Sequence, residues 1–538
     1  MTADQSIGAF DYVIVGAGSA GCVLANRLSA DPRNSVLLVE AGGEDRSPWI
    51  HIPVGYLYCI GNPVTDWMYQ TQVEPGLGDR SIGYARGRGL GGCSSINGMI
   101  YMRGQARDYD GWRQLVGPGW GWDDVLPYFL KSENSFRDED LHGRDGEMRI
   151  ERQRLHWEIL DAVREASAEI GAPPIEDFNL GDNQGASYFD VTQKGGWRWS
   201  AARAFLHPVR HRKNLKVLTN AHTANVTFDG ARASGVALLR KGARLTAQAR
   251  GEVILAAGSI GSPQILQLSG IGPGAHLSEH GIKTRIDAPG VGENLQDHLQ
   301  IRTAFRVSNT KTLNEMQASL WGKAKIAAEY ALRRTGPMAM APSQLGIFAK
   351  SDPRFETANL EFHIQPLTLE KFGEPLDDFP AITVSVANLR PASRGSVRIV
   401  SPDSTDHPAI APNYLSDPED KRVAADSIRV ARRLMAAEAM KPYKPEEFRP
   451  GPEVVEDDSL ADAAGRIGTT IFHPVGTAKM GRADDPTAVV DPALKVRGVE
   501  RLRVVDASVM PTITSGNTHA PVVMIAEKAS EMILADRP

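Results

Sequence analysis

The sequence predicts an α/β protein in which a doubly wound dinucleotide-binding unit is joined to a second region with an antiparallel sheet flanked by helices. Three observations predict this architecture. The chain opens with a strand, a glycine-rich turn, a helix and a second strand. Further glycine-rich segments appear in its middle and near its end, and the residues after 300 carry strand and helix patterns of a different layer type.

The opening unit begins with the apolar residues 10–15, rich in β-branched and aromatic side chains, which predict a buried strand. Gly16, Gly18 and Gly21 follow with the spacing G-x-G-x-x-G, and the next apolar run ends at Glu40. The first glycine allows a tight turn, the second lets the backbone approach a pyrophosphate, and the third lets helix and strand pack closely. We expect phosphates at the helix N-terminus and an adenosine ribose held by two hydrogen bonds to the Glu40 carboxylate. This spacing does not separate FAD from NAD.

Length and composition limit the number of domains and the kinds of partner that the protein can bind. The 538 residues predict two to four domains, and 42% hydrophobic with 23% charged residues is ordinary for a globular protein. A net charge of −5 predicts no basic face for nucleic acid or an anionic membrane. No run approaches the length of a membrane span, and the first twelve residues lack the basic start and apolar stretch of a signal peptide. We therefore expect a cytoplasmic protein.

The three cysteines form no metal or redox pair. Cys22, Cys59 and Cys93 make no C-x-x-C motif, which favours a reducing compartment and small buried packing residues. No metal site is expected.

The later part of the chain predicts the second layer. Strands are expected at 300–306, 359–365, 380–388 and 394–400. Helices are expected at 156–170, 318–333, 418–438 and about 521–535. After the apolar strand at 253–258, a helix is expected to begin at Pro263.

Six segments, in order, resemble the motifs of the glucose-methanol-choline (GMC) oxidoreductases, and the resemblance covers essentially the whole chain. They are FDYVIVGAGSAGCVLANRLS (10–29), RGRGLGGCSSINGMIYMRG (86–104), AAGSIGSPQILQLSGIGP (256–273), GVGENLQDH (290–298), HPVGTAKMG (473–481) and VVDASVMPTITSGNTHAP (504–521). Choline- and alcohol-dehydrogenase-like flavoproteins are the members most similar to it. The resemblance implies FAD, a discontinuous FAD-binding domain (8–155, 205–305 and 465–538) and a substrate-binding domain (156–204 and 306–464).

The same resemblance implies the cofactor contacts. The expected cofactor-binding residues are Gly16, Gly18, Ser19, Gly21, Glu40, Ala41, Arg88, Gly91, Gly92, Ser95, Asn97, Gly98, Thr223, Gly258, Asp506, Ala507, Asn517 and Thr518. The loop from Asn294 to His298 lies near the cofactor in relatives and is otherwise a plain loop. Some relatives carry a histidine, bonded to the flavin, at the position of Ile96. An aliphatic side chain cannot form that bond, so we expect non-covalent FAD.

Two histidines near the end of the chain are the expected catalytic residues. A histidine is more often structural than catalytic, but the resemblance implies that His473 and His519 face each other across the substrate. In the family the first position is histidine and the second is histidine or asparagine. A neutral His473 accepts the hydroxyl proton, His519 orients the alcohol, and flavin N5 accepts the hydride. Asn517 and Thr518 are expected to cap the helix that starts around Pro521, with its positive end beside His519.

The substrate pocket is predicted from alternation in NLEFHIQ, residues 359–365. Its apolar residues face a core, while Glu361, His363 and Gln365 line either the pocket or a solvated strand face. Trp67, Tyr101 and Phe472 are candidate apolar walls, or core residues.

The predicted function is FAD-dependent oxidation of a primary alcohol to an aldehyde, with oxygen or another molecule as the electron acceptor. Aliphatic, polyether, aromatic and amino alcohols all remain possible substrates. The alternatives are a flavin-containing lyase of the same family, similar to hydroxynitrile lyases, and a nicotinamide-dependent dehydrogenase.

Overall fold

Two seven-stranded sheets organise the computed structural model, which describes residues 5–137, 140–370 and 374–537. Their strands are β1 (Gln5–Val15), β2 (Val36–Val39), β3 (Gly185–Tyr188), β4 (Leu215–Leu218), β5 (His222–Asp229), β6 (Arg232–Arg240), β7 (Ala243–Leu255), β8 (Leu299–Arg306), β9 (Leu345–Ala349), β10 (Leu360–Gln365), β11 (Ala381–Asn388), β12 (Glu446–Arg449), β13 (Gly468–Thr470) and β14 (Leu502–Val504). The longer helices are α1 (Ser19–Leu28), α2 (Ala106–Val116), α3 (Trp122–Ser132), α4 (Glu158–Ala166), α5 (Gly258–Leu268), α6 (Leu320–Arg333), α7 (Pro418–Ala436), α8 (Asp457–Ile467) and α9 (His519–Ala535).

Shorter elements connect these. Helical turns lie at Pro48–His51, Tyr56–Cys59, Ala202–Leu206, Gly274–Glu279 and Leu313–Met316. Two-stranded ribbons pair Glu133–Asn134 with Met148–Arg149, Gln193–Lys194 with Trp197–Arg198, Ile271–Gly272 with Ile286–Asp287, and Ser396–Arg398 with Ala409–Ala411. The strand expected at 394–400 is therefore shorter than predicted and lies outside the second large sheet.

The first sheet is the doubly wound unit that the opening motif predicts. Its order is β4-β2-β1-β7-β6-β5, and β14 also pairs with β7. Strands β1, β2, β4, β7 and β14 run parallel, whereas β5 and β6 extend the sheet as antiparallel strands. The central strands are buried on both faces, which is why they read as continuous apolar runs. Helices α1 and α9 pack against each other on this sheet.

The second sheet is antiparallel, in the order β12-β8-β11-β10-β9-β3, and β13 also pairs with β8. The strands predicted at 300–306, 359–365 and 380–388 are confirmed as β8, β10 and β11. Apolar side chains on one face of β10 pack in the core beneath α7 and α4. β8 and β13 belong to this sheet, although the expected domain limits at 305 and 465 assigned them to the cofactor-binding region. Residues 156–204 contribute α4 and β3 to the same layer.

The predicted helices at 318–333 and 418–438 are confirmed as α6 and α7, but two helix starts were predicted too late. α5 begins at Gly258 and not at Pro263, because the Asp506 carboxylate accepts hydrogen bonds from the Gly258 N–H (2.8 Å) and the Ser262 hydroxyl (2.6 Å). α9 begins at His519, before Pro521. Within the described ranges, no helix is long and apolar enough to cross a membrane.

Candidate active site

A cavity lies between the carboxyl ends of the parallel strands and the polar side of β10. This edge is where ligands bind in open α/β sheets. Most of the predicted residues line it: Gly16, Gly18, Ser19, Glu40, Ala41, Gly92, Asn97, Gly98, Thr223, Gly258, Asp506, Ala507, Asn517 and Thr518 at the expected cofactor positions, Trp67, His363, Gln365 and Phe472 at the expected substrate positions, and both His473 and His519.

Four predicted cofactor residues lie behind this wall. A Cβ on Gly21 would come within 1.8 Å of the Gly16 carbonyl oxygen, so this glycine allows the helix to pack on the strand, as expected. The Gly91 N–H and the Ser95 hydroxyl donate to backbone carbonyls of the neighbouring turns, at 2.8 Å each. The Arg88 guanidinium stacks over the Trp67 ring. These four residues lie behind the cavity wall and hold the segments that form it.

Tyr101, a candidate pocket wall, also lies elsewhere. It is buried in the core of the first sheet together with Tyr109 and Trp112. Sequence alone does not separate a core aromatic from a pocket aromatic, because both are large and apolar.

The nucleotide end of the cavity is built around Gly18, which precedes α1. A Cβ added there meets no atom within 4 Å, whereas one on Gly92 would come within 2.8 Å of the Gly18 Cα. The backbone of Gly18 is therefore open to the cavity, and the first turn of α1 leaves N–H groups without helical acceptors. Open backbone at a helix N-terminus is the arrangement that binds a pyrophosphate.

The Glu40 carboxylate makes different bonds from those predicted. It is buried and accepts hydrogen bonds from the backbone N–H groups of Ala17 (2.8 Å), Gly42 (2.8 Å) and Gly89 (3.1 Å). A carboxylate has about four acceptor sites, so one remains for a ribose hydroxyl, not two. Burial raises the pKa of Glu40. Glu40 thus ties the first glycine turn to the segment that begins at Arg86.

Three buried polar atoms on residues that line the cavity have no hydrogen-bond partner: His363 Nε2, Asn517 Oδ1 and His519 Nε2. An unpartnered polar atom at a cavity wall is available to a bound group. Together with the open backbone at Gly18, the atoms of Asn517 and His519 fit a dinucleotide that runs from α1 towards His473.

The chemistry at the other end centres on His473, held between two partners. Its Nε2 lies 3.1 Å from Asn517 Nδ2, and its Nδ1 lies 3.0 Å from His298 Nδ1. His298 Nε2 lies 3.2 Å from the Leu389 carbonyl oxygen. A carbonyl only accepts, so His298 carries its proton on Nε2 and presents a lone pair on Nδ1. His473 therefore donates from Nδ1 and keeps an unprotonated Nε2 at the cavity.

The charge state of His473 agrees with this tautomer. Burial lowers its pKa well below the usual value of 6.5, and nearby His298, His363 and Arg86 lower it further. His473 is consequently neutral at pH 7 and available as a proton acceptor.

A buried carboxylate fixes the backbone at His473. Asp297 accepts hydrogen bonds from the His473 N–H (2.7 Å), the Thr470 hydroxyl (2.5 Å) and the hydroxyls of Tyr84 (2.9 Å) and Tyr414. The preceding residue, Phe472, has a φ of 67°, unfavourable for a bulky side chain. The Asp297 network and the Arg86 bond to the Phe472 carbonyl (2.5 Å) hold this strained turn.

His519 lines the same cavity as His473, and its nearest contact is with the start of α1. Its Nδ1 lies 3.0 Å from the Ser19 hydroxyl, and burial lowers its pKa to about 4. Asn517, two residues earlier, contacts His473. It makes no cap for α9, because its amide is directed at the imidazole. An amide thus joins the two histidines at this part of the cavity.

Sequence reasoning missed two functional residues. Asp297 and His298 were predicted only as part of a polar loop, although both lie within the motif GVGENLQDH. A buried acid followed by a histidine, at the start of a strand, is a sequence signal that could predict residues that hold a catalytic histidine in place.

The substrate end is polar, and a buried carboxylate lies directly behind its wall: Glu361 Oε1 is 3.2 Å from His363 Nε2, and neither Glu361 oxygen has a hydrogen-bond donor among the described residues. Gln300, His363 and Gln365 line this end; Gln300 donates to the Thr470 carbonyl (3.2 Å) and Gln365 to the Ser343 hydroxyl (3.1 Å). Among the described residues, the acids that line the cavity are Glu40 and Asp506, both hydrogen-bonded at the nucleotide end. The one charged side chain near His473 in the wall is the cationic Arg86.

Comparisons with known proteins identify the family of this chain. Sequence models of the N- and C-terminal parts of the GMC oxidoreductases match residues 10–300 and 391–526. The chain is 42% identical over 531 residues to an alcohol dehydrogenase [acceptor] from Pseudomonas putida, covering 98% of this chain and 96% of the relative. It is 41% identical over 538 residues to an oxygen-dependent choline dehydrogenase from Staphylococcus aureus, covering 98% and 94%.

Two solved structures have a fold similar to that of this chain. Pyridoxine 4-oxidase from Mesorbium loti superposes with a TM-score of 0.89 at 31% identity, covering 98% of this chain and all of that one. Formate oxidase from Aspergillus oryzae, whose study concerns FAD modification, superposes with a TM-score of 0.90 at 27% identity over 99% of both chains.

Proposed function

This chain belongs to the GMC oxidoreductase family, and we propose that it is an FAD-dependent enzyme that oxidises a primary alcohol to an aldehyde. The observation that carries the proposal is the unprotonated Nε2 of His473, fixed at the cavity wall beside Asn517.

FAD fits the residues that line the cavity. The α1 N-terminus with Gly18 and Ser19 holds the pyrophosphate, Glu40 offers one acceptor site to the adenosine ribose, and the unpartnered His519 Nε2 takes a hydrogen bond near the start of α1. When bound, FAD supplies the hydride acceptor for the alcohol carbon. Ile96 lines the cavity and offers no nucleophile, so the cofactor is held without a covalent link.

The protein's own contribution is to remove the hydroxyl proton and to orient the oxygen. Nε2 of His473 accepts that proton, and its Nδ1–H bond to His298 stabilises the resulting positive charge. The Asn517 amide donates to the alcohol oxygen in place of its bond to Nε2. Because Asp297 and the strained turn at Phe472 fix the imidazole, little reorganisation accompanies the proton transfer.

The substrate end can hydrogen-bond a second polar group of the alcohol. Gln300, His363 and Gln365 offer these hydrogen bonds, and the buried Glu361 carboxylate behind His363 places negative charge next to this part of the cavity. Aliphatic, polyether, aromatic and amino alcohols are therefore all candidates for the substrate.

The test is anaerobic mixing of the flavin-loaded protein with a panel of primary alcohols, with flavin absorbance recorded over time. At least one alcohol should bleach the flavin and yield its aldehyde. His473→Ala should keep its flavin but lose about 10²–10⁴-fold in the reduction rate. Asn517→Ala should be slower than Asn517→His, which retains a donor. His519→Ala should weaken flavin retention more than it slows reduction.

The pH dependence provides a second criterion. Since the pKa of His473 is lowered, the neutral base persists below pH 6.5, and the reduction rate should fall only at more acidic pH. Cleavage of a substrate without flavin bleaching would indicate the lyase instead, and full activity of His473→Ala would contradict the assigned base.

A further inference from the structure

Helix α6 exposes large apolar side chains to solvent. Leu320, Trp321 and Leu332 are 86%, 81% and 84% exposed, more than any other large hydrophobic residue in the described part of the chain. A soluble protein rarely turns a continuous apolar stripe outward, and such a stripe usually marks a binding surface.

The exposed residues form one stripe along the helix. At 100° per residue, Leu320, Trp321 and Leu332 share one side with the exposed alanines 324, 327, 328 and 331. Lys325 borders this stripe on one edge and Lys323 on the other, both exposed. The opposite side carries Ile326 and Tyr330, which face the protein.

The helix is anchored firmly, so the stripe is a stable feature. Tyr330 is buried and its hydroxyl donates to the Gly196 carbonyl (2.9 Å), while the Arg334 guanidinium stacks over Trp197. At the other end the Ser319 hydroxyl caps the helix by accepting from the Gly322 N–H (3.0 Å). The capped, alanine-rich helix forms without burying its apolar side.

We propose that this stripe (Leu320, Trp321 and Leu332 with the intervening alanines, flanked by Lys323 and Lys325) docks on the surface of an anionic lipid membrane. An apolar stripe with tryptophan and leucine, bordered by lysines whose charged ends reach the headgroups, is the arrangement of a helix that lies in the membrane interface. The lysines give complementarity to anionic lipid that a flat apolar protein partner would not need. The net charge of −5 does not oppose this, because membrane attraction depends on charge within a Debye length of the contact. Membrane docking through α6 is independent of the oxidoreductase function.

The experiment measures partition of the flavin-loaded protein onto vesicles of phosphatidylcholine, with and without phosphatidylglycerol, by flotation. Wild type should bind the anionic vesicles, and added salt should weaken binding. The triple variant Leu320→Ser, Trp321→Ser, Leu332→Ser and the pair Lys323→Glu, Lys325→Glu should each bind at least ~10-fold less. The control Val64→Ser, Val73→Ser removes two other exposed apolar side chains and should bind as wild type.

The depth of Trp321 in the membrane is measured by the quenching of tryptophan fluorescence by brominated lipid. The Trp321→Phe substitution should largely abolish this quenching. All changed side chains are exposed, so thermal melting should confirm that each variant folds. Equal vesicle binding by wild type and the triple variant would overturn the proposal. Vesicle binding that does not depend on phosphatidylglycerol would also overturn it. A third contrary result would be a dimer, detected by size-exclusion chromatography, that is absent in the triple variant while neither protein binds vesicles.

Discussion

The hydrogen bond between His298 and His473 makes a quantitative prediction. Replacing His298 with Leu removes the acceptor for the His473 Nδ1–H and the donor to the Leu389 carbonyl, both in a fully buried place. When His473 takes a proton, its bond to His298 becomes charge-assisted and contributes about 1.5–3 kcal/mol. If that contribution is lost in the transition state, flavin reduction slows by about 10- to 150-fold.

The matched variant is His298→Gln, whose amide can both accept from His473 and donate to Leu389. It should recover most of the rate. The assay is anaerobic stopped-flow reduction at saturating alcohol, with flavin content and thermal melting as controls for folding. His276→Leu, which changes another histidine that hydrogen-bonds a backbone carbonyl outside the cavity, should reduce at the wild-type rate. Equal rates for His298→Leu and wild type, or equal losses in the Leu and Gln variants with intact folding, would refute the tautomer assignment.

Two further predictions concern the cofactor. Gly18→Ala should leave the melting temperature of the apoprotein unchanged but lower flavin content, because its Cβ meets only open cavity; Gly21→Ala should destabilise the apoprotein itself, because its Cβ overlaps the Gly16 carbonyl. Glu40→Ala should lower both apoprotein stability and flavin affinity, since three backbone N–H groups lose their acceptor at about 1 kcal/mol each; an unchanged melting temperature would contradict this bracing role.

The first sheet and much of the second could be predicted because local sequence patterns indicate their strands. Glycine spacing placed Gly16, Gly18 and Gly21 correctly, and strict alternation in residues 359–365 predicted which side of β10 faces the core. These signals depend only on neighbours in the chain. The strand β1 was predicted to start at residue 10, but it starts at Gln5. The apolar pattern did not reveal residues 5–9 because they are partly exposed and pair with the less apolar half of β7.

Contacts between distant segments could not be predicted. Asn517 and His519 are two residues apart, and only the course of the chain before α9 decides which one hydrogen-bonds to His473. Glu40 matched the pattern of a ribose ligand, but the sequence could not show that Gly89 would donate to the same carboxylate.

The contact between Ser19 and His519 has a consequence for biosynthesis. It joins residues 500 positions apart, as does the Arg27–Glu527 ion pair between α1 and α9. At roughly 5–20 residues per second, a ribosome delivers α9 about 25–100 s after α1. During that interval the apolar surface that α1 later shares with α9 stays uncovered, and β7 lacks its partner β14. The part of the cavity wall that His519 and the residues after strand β14 complete therefore forms only when synthesis is nearly finished, and flavin capture is confined to the last moments of synthesis or later.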